Sequence, residues 1–80
     1  MDRDQAMTTV REALASAVPG ADPSGLTPEA VFREELELDS LDFLSFVEIL
    51  SDRTGVRIDE EDYSRLTTLA ACAEFLTSRK

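Results

Sequence analysis

The sequence predicts a small all-α bundle: three main helices, one short helix placed third, and a long first connection. Three observations predict it. Apolar residues recur at helical spacing in three separate stretches, and proline and glycine fall between those stretches. The one strand-like run, Val56-Arg57-Ile58, has no second run to pair with and reads as an extended connector. Eighty residues suit one domain spanning residues 1–80. A core of that size supplies only about 3–5 kcal/mol net, which leaves little stability for a deep catalytic cleft.

The first helix is expected over residues 4–18, with Met7, Val10, Leu14 and Ala17 or Val18 on its apolar stripe, Asp4 as its cap and Pro19-Gly20 as its stop. The connection from there to Leu38 is punctuated by Gly20, Pro23, Gly25 and Pro28. Within it Thr27-Pro28-Glu29 reads as a helix start, with Thr27 as cap and Pro28 in the first helical position, giving one or two turns through Glu35. The second full helix runs from Ser40 to Thr54. Asp39 caps it, Asp42 sits where a capping box places its acid, and Gly55 ends it. Its core stripe is Phe43, Phe46, Val47 and Leu50. Asp59 caps a short helix beginning with Glu60-Glu61-Asp62, where acids suit the helix dipole. Thr67 is the expected cap of the last helix, whose stripe is Leu69, Cys72, Ala73 and Leu76.

Composition excludes several kinds of chemistry. The chain has no histidine, so it lacks the commonest general base and metal ligand and the usual partner of a nucleophilic serine. Its only lysine is Lys80 and its only cysteine Cys72, which rules out an internal disulfide or a cysteine-rich zinc cage. Cys72, in an apolar stripe, reads as a small buried hydrophobe. No catalytic residue and no metal ligand set is expected. Asp59-Glu60-Glu61-Asp62 lacks the spacing and glycine of an EF-hand loop, and Tyr63 reads as a packing residue with a wet hydroxyl. No run approaches the length of a membrane span, and the first residues do not open a secretory signal. These features, with the lone cysteine, fit a cytoplasmic protein.

Charge is concentrated rather than spread. Of 17 acids and 8 basic residues, eleven acids and only Arg53 and Arg57 lie between Glu34 and Asp62, so the net −9 sits entirely in the middle of the chain. That field repels nucleic acid and anionic lipid and steers basic surfaces inward. It also reads as an ordinary solvated surface.

The second full helix carries residues its core stripe does not use. Leu41 lies about 160° from the centre of that stripe, and with Leu44 it shares a face with Ser45, Glu48 and Asp52. Two leucines ringed by carboxylates form a docking patch if exposed; for Leu44, cover by the long connection is an equal alternative. Ser40 occupies the first turn. A group on its hydroxyl would project from the helix start, where free N–H groups and the helix dipole favour a phosphate. Simple capping is the alternative for a serine beside an aspartate. The arginines are distant in sequence, so the helix terminus, not a salt bridge, is expected to settle a phosphate's charge.

Leu36-Glu37-Leu38-Asp39-Ser40-Leu41-Asp42 resembles the attachment motif of the acyl carrier proteins, in which the serine carries a 4′-phosphopantetheine arm. Gly55-Val56-Arg57-Ile58 followed by acids, and Leu66-Thr67-Thr68-Leu69, are similar to that family at matching spacings, and the likeness covers nearly the whole chain. The resemblance implies an acyl-carrier-like four-helix bundle, free-standing and monomeric. It implies that a phosphopantetheinyl transferase moves the arm from coenzyme A to Ser40 and that the arm's thiol holds acyl groups as thioesters. Acyl-transferring and condensing enzymes of fatty-acid, polyketide or related biosynthesis would then dock basic surfaces on Asp39, Leu41, Asp42, Leu44, Glu48 and Asp52. In this family the acyl chain can fold back between the helices.

Departures from the pattern are specific. Glu37 stands where the family usually has glycine, which makes the entry to the motif stiffer. Ser45 and Ser51 replace glutamates of the partner-facing helix, and the Phe43 and Phe46 rings reduce the room for a sequestered chain. A peptidyl or aminoacyl carrier would share the fold and the serine, but Asp42 and the net −9 favour the acyl type. An acidic helical adaptor without a prosthetic group is the alternative from another class.

Overall fold

A computed structural model describes residues 1–78; Arg79 and Lys80 lie outside the described residues. Helix α1 spans Arg3–Ala17. Its cap is Asp2, not Asp4: the Gln5 amide donates to Asp2 Oδ1 at 2.8 Å and the Asp2 amide to Gln5 Oε1 at 3.2 Å. This reciprocal pair satisfies two terminal donors at once, which Asp4 has no partner to do. The buried face is Ala6, Val10, Ala13 and Leu14, with Met7, Ala17 and Val18 at its margin. The stripe is thus turned slightly from the expected one, and the two fully buried alanines allow close approach of the neighbouring helices.

The long connection is tied down at both ends. Asp22 caps a single 3₁₀ turn, Pro23–Gly25, whose Pro23 carbonyl accepts a hydrogen bond from the Arg11 guanidinium. Thr27-Pro28 does not start a helix. The Ala30 amide closes a turn onto the Thr27 carbonyl at 3.0 Å, the Pro28 carbonyl accepts from the Ala70 amide at 2.8 Å, and Val31 forms an isolated antiparallel bridge with Thr68. Those bonds fix the segment as a turn followed by a bridge, so the one-turn helix α2 begins only at Phe32 and ends at Glu35.

Helix α3 is Ser40–Thr54, as the sequence predicts. Asp39 caps it, the Asp42 amide donating to Asp39 Oδ1 at 2.8 Å; the Asp39 amide does not donate back to the Asp42 carboxylate, so only half of the expected capping box forms. Gly55 ends it at φ 70°, a left-handed conformation glycine adopts without steric cost. Residues 56–58 form neither helix nor paired strand, and a 3₁₀ helix follows over Glu60–Arg65. There Asp62 is buried and accepts from the Asp59 amide at 3.1 Å.

Helix α4 spans Leu69–Ser78. Thr68 caps it in place of the expected Thr67, its Oγ1 accepting from the Ala71 amide at 3.0 Å. The expected stripe of Leu69, Cys72, Ala73 and Leu76 is buried, together with Phe75. Helices α3 and α4 both pack on α1, in a body 31 × 24 × 19 Å. Arg53 reaches from α3 to Glu12 and Ser16 on α1, a solvent-exposed link of about 0–1 kcal/mol. The all-α class, the three main helices and the short third one stand as the sequence predicts, the third being 3₁₀.

Candidate attachment site at the start of helix α3

Two helix ends meet at Ser40. Behind it, α2 stops in a Schellman arrangement: Leu36 is the C-cap, the Leu38 amide donates to the Arg33 carbonyl at 2.9 Å, and the Glu37 amide to the Glu34 carbonyl at 3.3 Å. That geometry needs a left-handed residue, and Glu37 supplies it at φ 53°. In front, Asp39 fixes the first turn of α3. Leu38 between them is buried and anchors the junction to the core.

Ser40 is exposed in the first position of a 15-residue helix. Among the described residues its hydroxyl makes no hydrogen bond, so it is not spent on capping; Asp39 does that work. The amides of Ser40 and Leu41 likewise have no acceptor there and open outward with the positive end of the helix dipole. An exposed, uncommitted hydroxyl beside two free amides fits a phosphodiester. The surroundings offer no histidine and no lysine to activate Ser40 as a nucleophile of this chain's own.

Arg33 stacks on an aromatic ring of α3. The Arg33 guanidinium lies 4.6 Å over the Phe43 ring, and Phe43 is one turn of α3 beyond Ser40.

Leu41 is 73 % exposed and Leu44 39 %, so the connection does not cover Leu44. Ser45, Glu48 and Asp52 are exposed on the same face, Asp39 is exposed beside it, and Asp42 is half-buried. Leu41, Leu44, Glu48 and Asp52 share the solvent-facing side of α3, whereas Asp39 and Asp42 lie at its start, Asp42 toward the flank of the buried face. Glu48 and Asp52 also border a groove of about 350 Å³ with Val47, Ser51, Ile58 and Tyr63. On the opposite face, Phe43, Phe46, Val47 and Leu50 are buried. Among the described residues, no three or more carboxylates or thiols converge as a metal site, and no helix is long and apolar enough to cross a membrane.

The family model described as the phosphopantetheine attachment site matches residues 8–76. The chain belongs to the acyl carrier protein family. Its relatives include the acyl carrier protein of Rubrobacter xylanophilus, 34 % identical over 80 residues that cover 100 % of this chain and 98 % of that one. The acyl carrier protein of Exiguobacterium sp. is 30 % identical over 79 residues, 99 % of each chain. The meromycolate extension acyl carrier protein of Mycobacterium leprae is 34 % identical over 59 residues, 74 % of this chain and 51 % of that one. In fold, the chain is similar to the solution structure of an acyl carrier protein candidate from Anaplasma phagocytophilum, with a TM-score of 0.84 over 98 % of this chain and 91 % of that one, at 24 % identity. The prosthetic group of this carrier is 4′-phosphopantetheine. An adaptor without a prosthetic group does not account for a match to an attachment-site family.

Proposed function

We propose that Ser40 is the residue that receives the arm, and that Asp39, Leu41, Asp42, Leu44, Glu48 and Asp52 form the face on which partner enzymes dock. One observation carries the reading: within the matched stretch, Ser40 is an exposed hydroxyl with no internal partner at a helix start whose amides are free. Ser40 Oγ acts as nucleophile toward the phosphorus of coenzyme A's phosphopantetheine. The new O–P bond forms as the pyrophosphate P–O bond breaks and adenosine 3′,5′-bisphosphate leaves, and a base of the transferase takes the hydroxyl proton, because this chain offers none. When bound, the arm supplies a thiol that holds an acyl group as a thioester. Leu38 and Asp39 hold the attachment point rigid, and the free first-turn amides meet the phosphodiester's charge.

The chain is on this reading a substrate and partner of enzymes, without a catalytic residue of its own; the missing histidine supports that. Exposed Leu41 and Leu44 offer apolar contact within an acidic field that draws in basic surfaces of the transferase and of acyl-transferring and condensing enzymes. A net charge of −9 supports a monomer through self-repulsion, and a single buried cysteine supports a cytoplasmic setting. The test is acyl loading. The arm-bearing protein, given an acyl coenzyme A and an acyltransferase, should take up one acyl group that hydroxylamine removes. An adduct that survives hydroxylamine would overturn the thioester reading.

A further inference from the structure

We propose that Phe43 and Tyr63 decide where this carrier keeps its cargo: they close the seam between α3 and the Glu60–Arg65 turn, so an acyl chain stays outside the bundle. The inference rests on the reading of Ser40 as the attachment point. Phe43 follows Ser40 by three residues, and helical side chains lean toward the helix start, so its ring lies under the Ser40 turn. The edge-to-face contact with Tyr63 spans the seam at 5.4 Å and 81°. On its other sides the Phe43 ring meets Phe32 at 6.4 Å and Phe46 at 6.2 Å, with the Arg33 guanidinium 4.6 Å above it.

A chain entering from Ser40 would have to displace Phe43, and the space behind it is already taken. Phe32 and Phe46 are fully buried and pack edge to face at 5.1 Å. Interiors this closely filled do not admit extra methylenes without forcing side chains from their preferred rotamers. The groove that remains at the seam is lined by Glu48, Ser51 and Asp52 beside Val47, Ile58 and Tyr63, so its polar walls leave an alkyl chain in contact with water. Cargo therefore remains accessible, and the carrier suits short or polar acyl groups better than long alkyl chains.

The experiment uses the arm-bearing protein loaded with a long alkyl chain ending in a solvatochromic fluorophore, with loading verified by intact mass. Wild type should emit as the free pantetheine thioester does, and its melting temperature should match that of the unloaded arm-bearing form, since a group outside the fold adds no native-state stabilisation. Phe43→Ala with Tyr63→Ala should shift the emission to the blue and slow hydroxylamine cleavage several-fold. If that double variant loses its helical signal, Tyr63→Ala alone, at a half-buried position, should give a smaller shift of the same sign. Blue-shifted emission from loaded wild type, or folded variants without any shift, would overturn the inference. Failure of the arm to attach counts instead against Ser40; Ser40→Cys alkylated with the same chain then tests the seam independently.

Discussion

The Leu38 amide donates to the Arg33 carbonyl at 2.9 Å and closes the end of α2 around Glu37, a non-glycine residue at φ 53°. A left-handed conformation costs a residue with a β-carbon about 1–2 kcal/mol. Part of that cost is recovered because glutamate loses less backbone entropy on folding than glycine. Glu37→Gly should still stabilise the protein by about 1 kcal/mol, raising the melting temperature by roughly 4–8 °C for a domain of this size. Thermal unfolding followed by circular dichroism checks it, and an unchanged or lower temperature would mean that Glu37 is not strained.

Asp39 and Asp42 are both acids at the start of α3, but they do different work. Asp39 holds the Asp42 amide at 2.8 Å, whereas the Asp42 side chain makes no return bond. Asp39→Ala should therefore cost about 1 kcal/mol of stability, the usual value of a lost cap. Asp42→Asn should cost only about 0.3–1 kcal/mol through the lost dipole interaction. Urea titrations of the two variants compare them directly, and equal losses would contradict this division of roles.

Leu41 spends its side chain on solvent, so Leu41→Ala should change stability by no more than about 0.5 kcal/mol. The same change, and Asp42→Lys, should reduce transfer of the arm and of acyl groups by partner enzymes. Transfer rates measured beside the melting curves separate docking from folding. A large stability loss in Leu41→Ala, or undiminished transfer in both variants, would remove Leu41 and Asp42 from the docking face.

Burial pushes the Cys72 thiol up to about 12 from an ordinary value near 9. Below pH 9 the thiol is protonated in folded and unfolded chains alike and its contribution is constant. Between pH 9 and about 12 the unfolded chain loses this proton first, so stability falls as pH rises through that window. Native protein at pH 8 should resist thiol reagents that modify the urea-unfolded chain readily. Equal reactivity in both states would show that Cys72 is accessible.

The bounds of helix α3 were legible because both of its ends are local in sequence: Asp39 caps its own next turn, and Gly55 is the one residue there suited to a left-handed stop. Its stripe needed only the helical period. The start of α1 was legible in principle, since Gln5 stands three residues after Asp2, but Asp4 has the same cap chemistry and was the wrong choice. Thr27-Pro28 misled because its partners, Thr68 and Ala70, are far along the chain and no local signal announces them. The same bridge explains why Thr68 rather than its twin Thr67 caps α4. At the site, spacing placed Ser40 in the first turn and the acids on the exposed face, and the family resemblance supplied the attachment role, whereas the approach of Arg33 to Phe43 and the contact with Tyr63 depend on tertiary packing.

On the proposed reading, Ser40 alone receives the arm. Coenzyme A, Mg²⁺ and a broad-specificity phosphopantetheinyl transferase should add the mass of one phosphopantetheine to the intact chain. Peptide mapping should locate that mass on Ser40, and Ser40→Ala should stay at chain mass with an undiminished helical signal. Modification found on Ser45 or Ser51, or a Ser40→Ala chain that still gains the arm, would contradict the account.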